Sequence, residues 1–189
     1  MSCTEPLSQA QRAYLLDLAR RSIRHGLEHG SALPVDLDPM ETALRRQQAS
    51  FVTLEISGTL RGCMGSLEAH RPLAEDVAAN AYAAAFRDPR FPPVTTREEP
   101  ELELHISLLT APEAMHIESE ADLLRQLRPG VDGLILREGA HRGTFLPAVW
   151  EDLPFPADFL RHLKAKAGLP SDYWSDSIEV FRYGTQVIE

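Results

Sequence analysis

Apolar residues recur at helical spacing near the start of the chain. Leu15, Leu18, Ile23 and Leu27 form a rough stripe, which predicts an amphipathic helix. Ser8 can cap its first turn, with Gln11 three residues on closing a capping box, and Gly30 stops it. Leu33 to Pro39 reads as a loop, and Asp38, Pro39 and Glu41 open a short second helix running to about Gln48. The period then changes to two. Across Phe51 to Ser57, Val52, Leu54 and Ile56 share one face while Thr53 and Glu55 take the other. Ser57-Gly58 is a turn signal, so Thr59 to Gly65 is expected to return as an antiparallel strand.

Pro72 opens a helix through Leu73, Val77, Ala81 and Phe86, whose many alanines favour close packing on a sheet. Asp88 to Pro93 cannot be helical, because each proline holds the residue before it extended. Glu101 to Leu109 alternates again, with Leu102, Leu104, Ile106 and Leu108 inward. A short helix is expected over Ser119 to Arg128. A hairpin should pair Gly133 to Arg137 with Thr144 to Trp150, a helix should run from Pro156 to Gly168, and a last strand should span Ser177 to Tyr183. Strands joined by turns with irregularly interspersed helices define an α+β class rather than a doubly wound sheet.

Length and charge narrow the function. The 189 residues suit a single domain, 1–189, with residues 1–10 expected as a mobile lead. A net charge of −9 argues against nucleic acid or an anionic membrane surface as partner, since both require a basic field. All but two of the 19 basic residues are arginine, which, with the Ala-rich stretches, suits a GC-rich bacterial genome. The two cysteines, Cys3 and Cys63, are too few for a disulfide framework. No apolar run is long enough to span a membrane, and the first residues carry no signal-peptide core. The expected location is the cytoplasm.

The densest chemistry lies in Leu60-Arg61-Gly62-Cys63-Met64-Gly65. Two apart on a strand, Arg61 and Cys63 should project from one face, where a guanidinium would stabilise a thiolate. Gly62 and Gly65 leave the backbone bare, so that a ligand or another chain segment can approach. The competing reading makes Cys63 a small core residue and the glycines a bulge. His25-Gly26-Leu27-Glu28-His29 matches H-x-x-E-H, but Gly26 interrupts it, Gly30 ends it and no third ligand is evident, so no metal site is expected. The proline-locked loop can hold Asp88 and Arg90 in a cleft. Alternatively, Arg90 pairs with Asp88 while Phe91 plugs the core. His105 lies on the polar face of its strand and could serve Cys63 as a base if their strands are neighbours. Nucleotide-binding, serine-hydrolase and C-x-x-C motifs are absent, and no pattern names a cofactor or an oligomeric state.

The ordered blocks FVTLEISGTLRGCMGSLE, AAFRDPRFPPV, ELELHISLLT, GVDGLIL, GTFLPAVWEDLP, FLRHLKAKAGL and VFRYG together resemble the AMMECR domain family, also described as AmmeMemoRadiSam system protein A. The resemblance spans about Phe51 to Tyr183. It implies an α+β fold of antiparallel sheet and flanking helices, arranged as a larger and a smaller lobe. It also implies an association with Memo-like and radical-SAM proteins, but no particular reaction. By position it marks Leu60, Arg61, Gly62, Cys63 and Gly65, then Asp88, Arg90, Phe91 and Pro92, then Thr144, Phe145, Leu146 and Pro147. Cys63 is the candidate nucleophile and Arg61 its candidate stabiliser. Leu60, Gly62, Gly65, Asp88, Arg90 and Thr144 are candidate ligand contacts. His105 and Ala148 depart from the common pattern of this family. Two readings stay open: an enzyme-system component with a reactive thiol, and a non-catalytic adaptor.

Overall fold

A computed structural model of the chain describes residues 6–189. Cys3 lies outside the described residues. The first helix, α1 (Gln9–His29), carries the expected capping box: Gln11 N–H donates to Ser8 Oγ and the Gln11 side chain accepts from Ser8 N–H. Gly30 ends it in the left-handed conformation at φ 70°. Leu7 is buried, and α1 starts at Gln9. The second helix is only α2 (Thr42–Arg45), because Pro39 sits in a turn in which Met40 N–H donates to the Leu37 carbonyl.

Strands β1 (Ser50–Ile56) and β2 (Thr59–Gly65) form the expected hairpin. Ser57 and Gly58 both take positive φ, 52° and 73°, as a tight hairpin turn whose twist matches the strands requires. Helix α3 (Leu73–Phe86) follows, then an extended loop and a 3-10 turn over Glu99–Glu101 that delays β3 (Glu103–Leu109). β3 pairs antiparallel with the other edge of β1, and β8 (Thr185–Ile188) completes a sheet of order β2-β1-β3-β8. This leaves β2 at an open edge. The helix-facing side of the sheet gives Val52, Leu54, Ile106 and Leu108 to the core. Leu15, Leu18 and Ile23 of α1 and the alanines of α3 meet them there.

Small residues set how closely these layers approach. A side chain at Gly26 would collide with the Phe86 and Tyr82 rings, so this glycine marks the crossing of α1 and α3. A buried polar knot fixes α3 against the hairpin. Asp76 accepts from Ser50 N–H (2.9 Å), Ser50 Oγ (2.7 Å), Asn80 Nδ2 (2.9 Å) and Ser66 Oγ (3.1 Å). The donors leave neither carboxylate oxygen unpaired, as burial demands.

The chain divides into two compact units, the larger comprising the part up to Leu109 with Gln186–Glu189, the other Thr110–Thr185. In the second unit, β4 (Glu113–Ala114), β5 (Gly133–Glu138), β6 (His141–Phe145) and β7 (Glu179–Tyr183) make an antiparallel sheet of order β4-β7-β5-β6. α4 (Glu120–Gln126) and α5 (Pro156–Lys166) accompany it. Trp150 stacks on Phe159 at 3.8 Å within this core and donates to the Asp132 carbonyl at 2.7 Å. The hairpin differs from the expected one. Its return strand is His141–Phe145, and Pro147–Glu151 is a 3-10 turn, because Pro147 has no N–H for the ladder and suits a first helical position.

Candidate functional site

The pairing of β1 with β2 slips between Leu54 and Glu55: Gly62 faces Leu54, Leu60 faces Glu55, and Arg61 is the extra residue. This bulge interrupts the regular alternation of β2 at Arg61. Arg61 turns toward the 88–98 loop. Its Nε donates to Glu98 Oε1 at 2.8 Å and its Nη2 to Glu98 Oε2 at 3.3 Å and the Pro93 carbonyl at 3.4 Å. The side chain is 12% exposed, and its Nη1 is buried without a protein partner. Glu98 also accepts from Thr95 N–H and Oγ1. These donors, the Arg61 guanidinium foremost, pull the Glu98 carboxyl down to about 2.

Cys63 pairs with Thr53, and Thr53 pairs on its other side with His105, so the three form one row across β2, β1 and β3. The Cys63 thiol is half-buried and free, and its sulfur accepts a hydrogen bond from Thr53 Oγ1 at 3.3 Å. The Cys63 N–H, left over at the open edge of the sheet, donates to Asp88 Oδ2 at 2.9 Å. Asp88 is 2% exposed and also takes Arg90 N–H, Nε and Nη2 at 3.0, 3.0 and 2.7 Å. The Arg90 hydrogen bonds, helped by the Cys63 and Arg90 backbone donors, hold the Asp88 carboxyl well below the usual carboxylate range. In return the hydrogen bonds to Asp88 raise the affinity of Arg90 for its proton. Phe91 is half-buried beneath both, with Arg61 and Arg90 5.9 and 5.4 Å from its ring centroid, and does not plug the core.

The glycines serve packing. A side chain at Gly62 would enter the Ala84 carbonyl of α3, and one at Gly65 would enter the Phe51 ring. Leu60 is 37% exposed beside this cluster. Thr144 belongs to the second unit, where it is buried on β6 opposite Ile135 and its carbonyl accepts from Lys166 Nζ at 2.8 Å. His25 and His29 have ring centroids 4.4 Å apart, but His25 Nδ1 is 2.9 Å from the Ser31 carbonyl oxygen and His29 approaches Glu28. His105 does not reach Cys63, since Thr53 stands between them. Its ring nitrogens instead lie 3.6 Å from Glu55 Oε2 and 3.4 Å from Glu189 Oε2. The sequence reading missed Thr53, Glu98 and these glutamates. The alternation of β1 already put Thr53 and Glu55 on one face, but nothing local tied them to Cys63.

An α+β protein with two four-stranded sheets, the first carrying a bulge at Arg61 on its edge strand, defines the class. The AMMECR1 family model matches residues 16–188, and the chain belongs to the AMMECR1 family. A protein of Methanothermobacter thermautotrophicus is 38% identical over 184 residues, 96% of this chain and 95% of its own length. One of Thermotoga maritima is 36% identical over 167 residues, 87% and 91% of the two chains. The crystal structure of an uncharacterized protein from Pyrococcus horikoshii superposes with a TM-score of 0.80 at 32% identity, covering 92% of this chain and 88% of that one. Among the described residues no helix is long and apolar enough to cross a membrane.

Proposed function

We propose that the Leu60–Gly65 bulge and the 88–98 loop form the recognition site of an enzyme-system component, with Cys63 as its reactive thiol toward a small carbonyl or anionic ligand. The observation that carries this reading is the environment of the sulfur. It is half-buried and accepts the Thr53 hydroxyl, and the Cys63 N–H is held by Asp88, the partner of Arg90. A hydroxyl donor and a nearby cation are the groups that favour a nucleophilic thiolate. The resemblance of the ordered sequence blocks supports Memo-like and radical-SAM proteins as the other components, in a reducing cytoplasmic compartment. Iodoacetamide labelling of folded Cys3→Ser protein tests the thiol: modification of Cys63 is expected, and an unmodified chain under native conditions contradicts it.

A second reading, the non-catalytic adaptor, draws on a different observation. Arg61 and Arg90 are already paired with Glu98 and Asp88 around Phe91, which leaves a pre-formed surface. Capture assays with a purified Memo-like protein and a purified radical-SAM protein separate the two. For an adaptor, Cys63→Ala retains capture while Arg61→Ala and Phe91→Ala lose it. Capture unaffected by any of the three excludes docking through this surface.

A further inference from the structure

The face of the β2-β1-β3-β8 sheet that carries the Cys63 row holds a second cluster. Glu55 and Glu103 stand directly opposite each other on β1 and β3, and His105 follows Glu103 by two residues, on the same face. One ligand atom from each of Glu55, Glu103 and His105 lies within 4.8 Å of the others. Two carboxylates directly opposite across a ladder repel. A bound cation would offset them. The His105 and Glu55 side chains are 30% and 31% exposed and Glu103 is exposed, so an ion can reach them without opening the fold.

We propose that Glu55, Glu103 and His105 form a binding site for a divalent transition-metal ion. One imidazole with two carboxylates is a borderline-hard donor set suited to ions of the manganese-to-zinc series. The nitrogen ligand disfavours calcium and magnesium, which prefer all-oxygen shells. Because the three residues lie on two adjacent strands, the ladder sets their separations, and ion binding requires only side-chain rotation. Glu189, whose Oε2 is 3.4 Å from His105 Nδ1, fixes the ring from its far side as second-sphere carboxylates do for metal-ligating histidines. Cys63 stands two strands from His105, roughly 10 Å away at ordinary strand spacing, and is not a ligand.

The test is calorimetric titration of the full chain with Zn²⁺ after chelator treatment, in a Cys3→Ser, Cys63→Ser background that removes competing thiols. A single saturable site is expected. His105→Ala and Glu103→Gln should each weaken it by more than about tenfold, with circular dichroism showing the fold retained. His25→Ala should leave the affinity unchanged. Absence of saturable binding, or binding that His25→Ala removes and His105→Ala does not, overturns the proposal.

Discussion

Asp88 ties the site together at the scale of single residues, since one buried carboxylate receives the Cys63 backbone and the Arg90 side chain. Its proton affinity, and that of Glu98, is lowered by folding. Such groups contribute stability that is fully present above the unfolded-state values of 3.8 and 4.5 and is lost as pH falls through the folded ones, about 2 for Glu98. The wild-type protein should therefore lose stability on acidification below the ordinary carboxylate range. An Asp88→Asn, Glu98→Gln double variant should be less stable at neutral pH and show a flatter profile over that window. Urea denaturation across the acid range checks this, and parallel profiles would mean that these pairs carry no pH-linked stability. The sequence showed that Arg90 could pair with Asp88, two residues away. It did not show that Asp88 also caps Cys63, because that contact joins residues on either side of α3 and depends on the length and tilt of that helix.

Among elements, the bulge in β2 does most to define the site. It sends Arg61 toward Glu98 while Cys63 faces Thr53, and it seats Gly62 against α3. Gly62→Ala should destabilise the fold by about 1–3 kcal/mol or more, because the Ala84 carbonyl cannot yield without moving the helix. Gly65→Ala faces only the Phe51 side chain and should cost less. Chemical denaturation of both variants checks the order, and a neutral Gly62→Ala would remove close packing as the reason for this glycine. Alternation and turn chemistry made β1, β2 and β3 legible in sequence. A one-residue bulge leaves no trace in that pattern, so the irregularity at Arg61 was not legible. The two-residue β4 and the four-residue β8 are too short for periodicity to register. Pro147, read as part of a strand, belongs to a 3-10 turn.

At the scale of the whole molecule, the family match over residues 16–188 accounts for both units and both sheets. The larger unit holds both the thiol row and the glutamate-histidine cluster on one sheet face. The class of fold was legible in the sequence because each unit repeats short strands with local turns. The row joining Cys63, Thr53 and His105 was not, because strand order cannot be read from local pattern. The central claim is that this face presents Cys63 as a reactive thiol supported by Thr53. Its most direct test compares iodoacetamide labelling rates of Cys63 in folded Cys3→Ser protein with and without Thr53→Val. Ready labelling is expected, slowing to about a tenth when the hydroxyl donor is removed. Equal rates in the two proteins, or no labelling of either while folded, would contradict it.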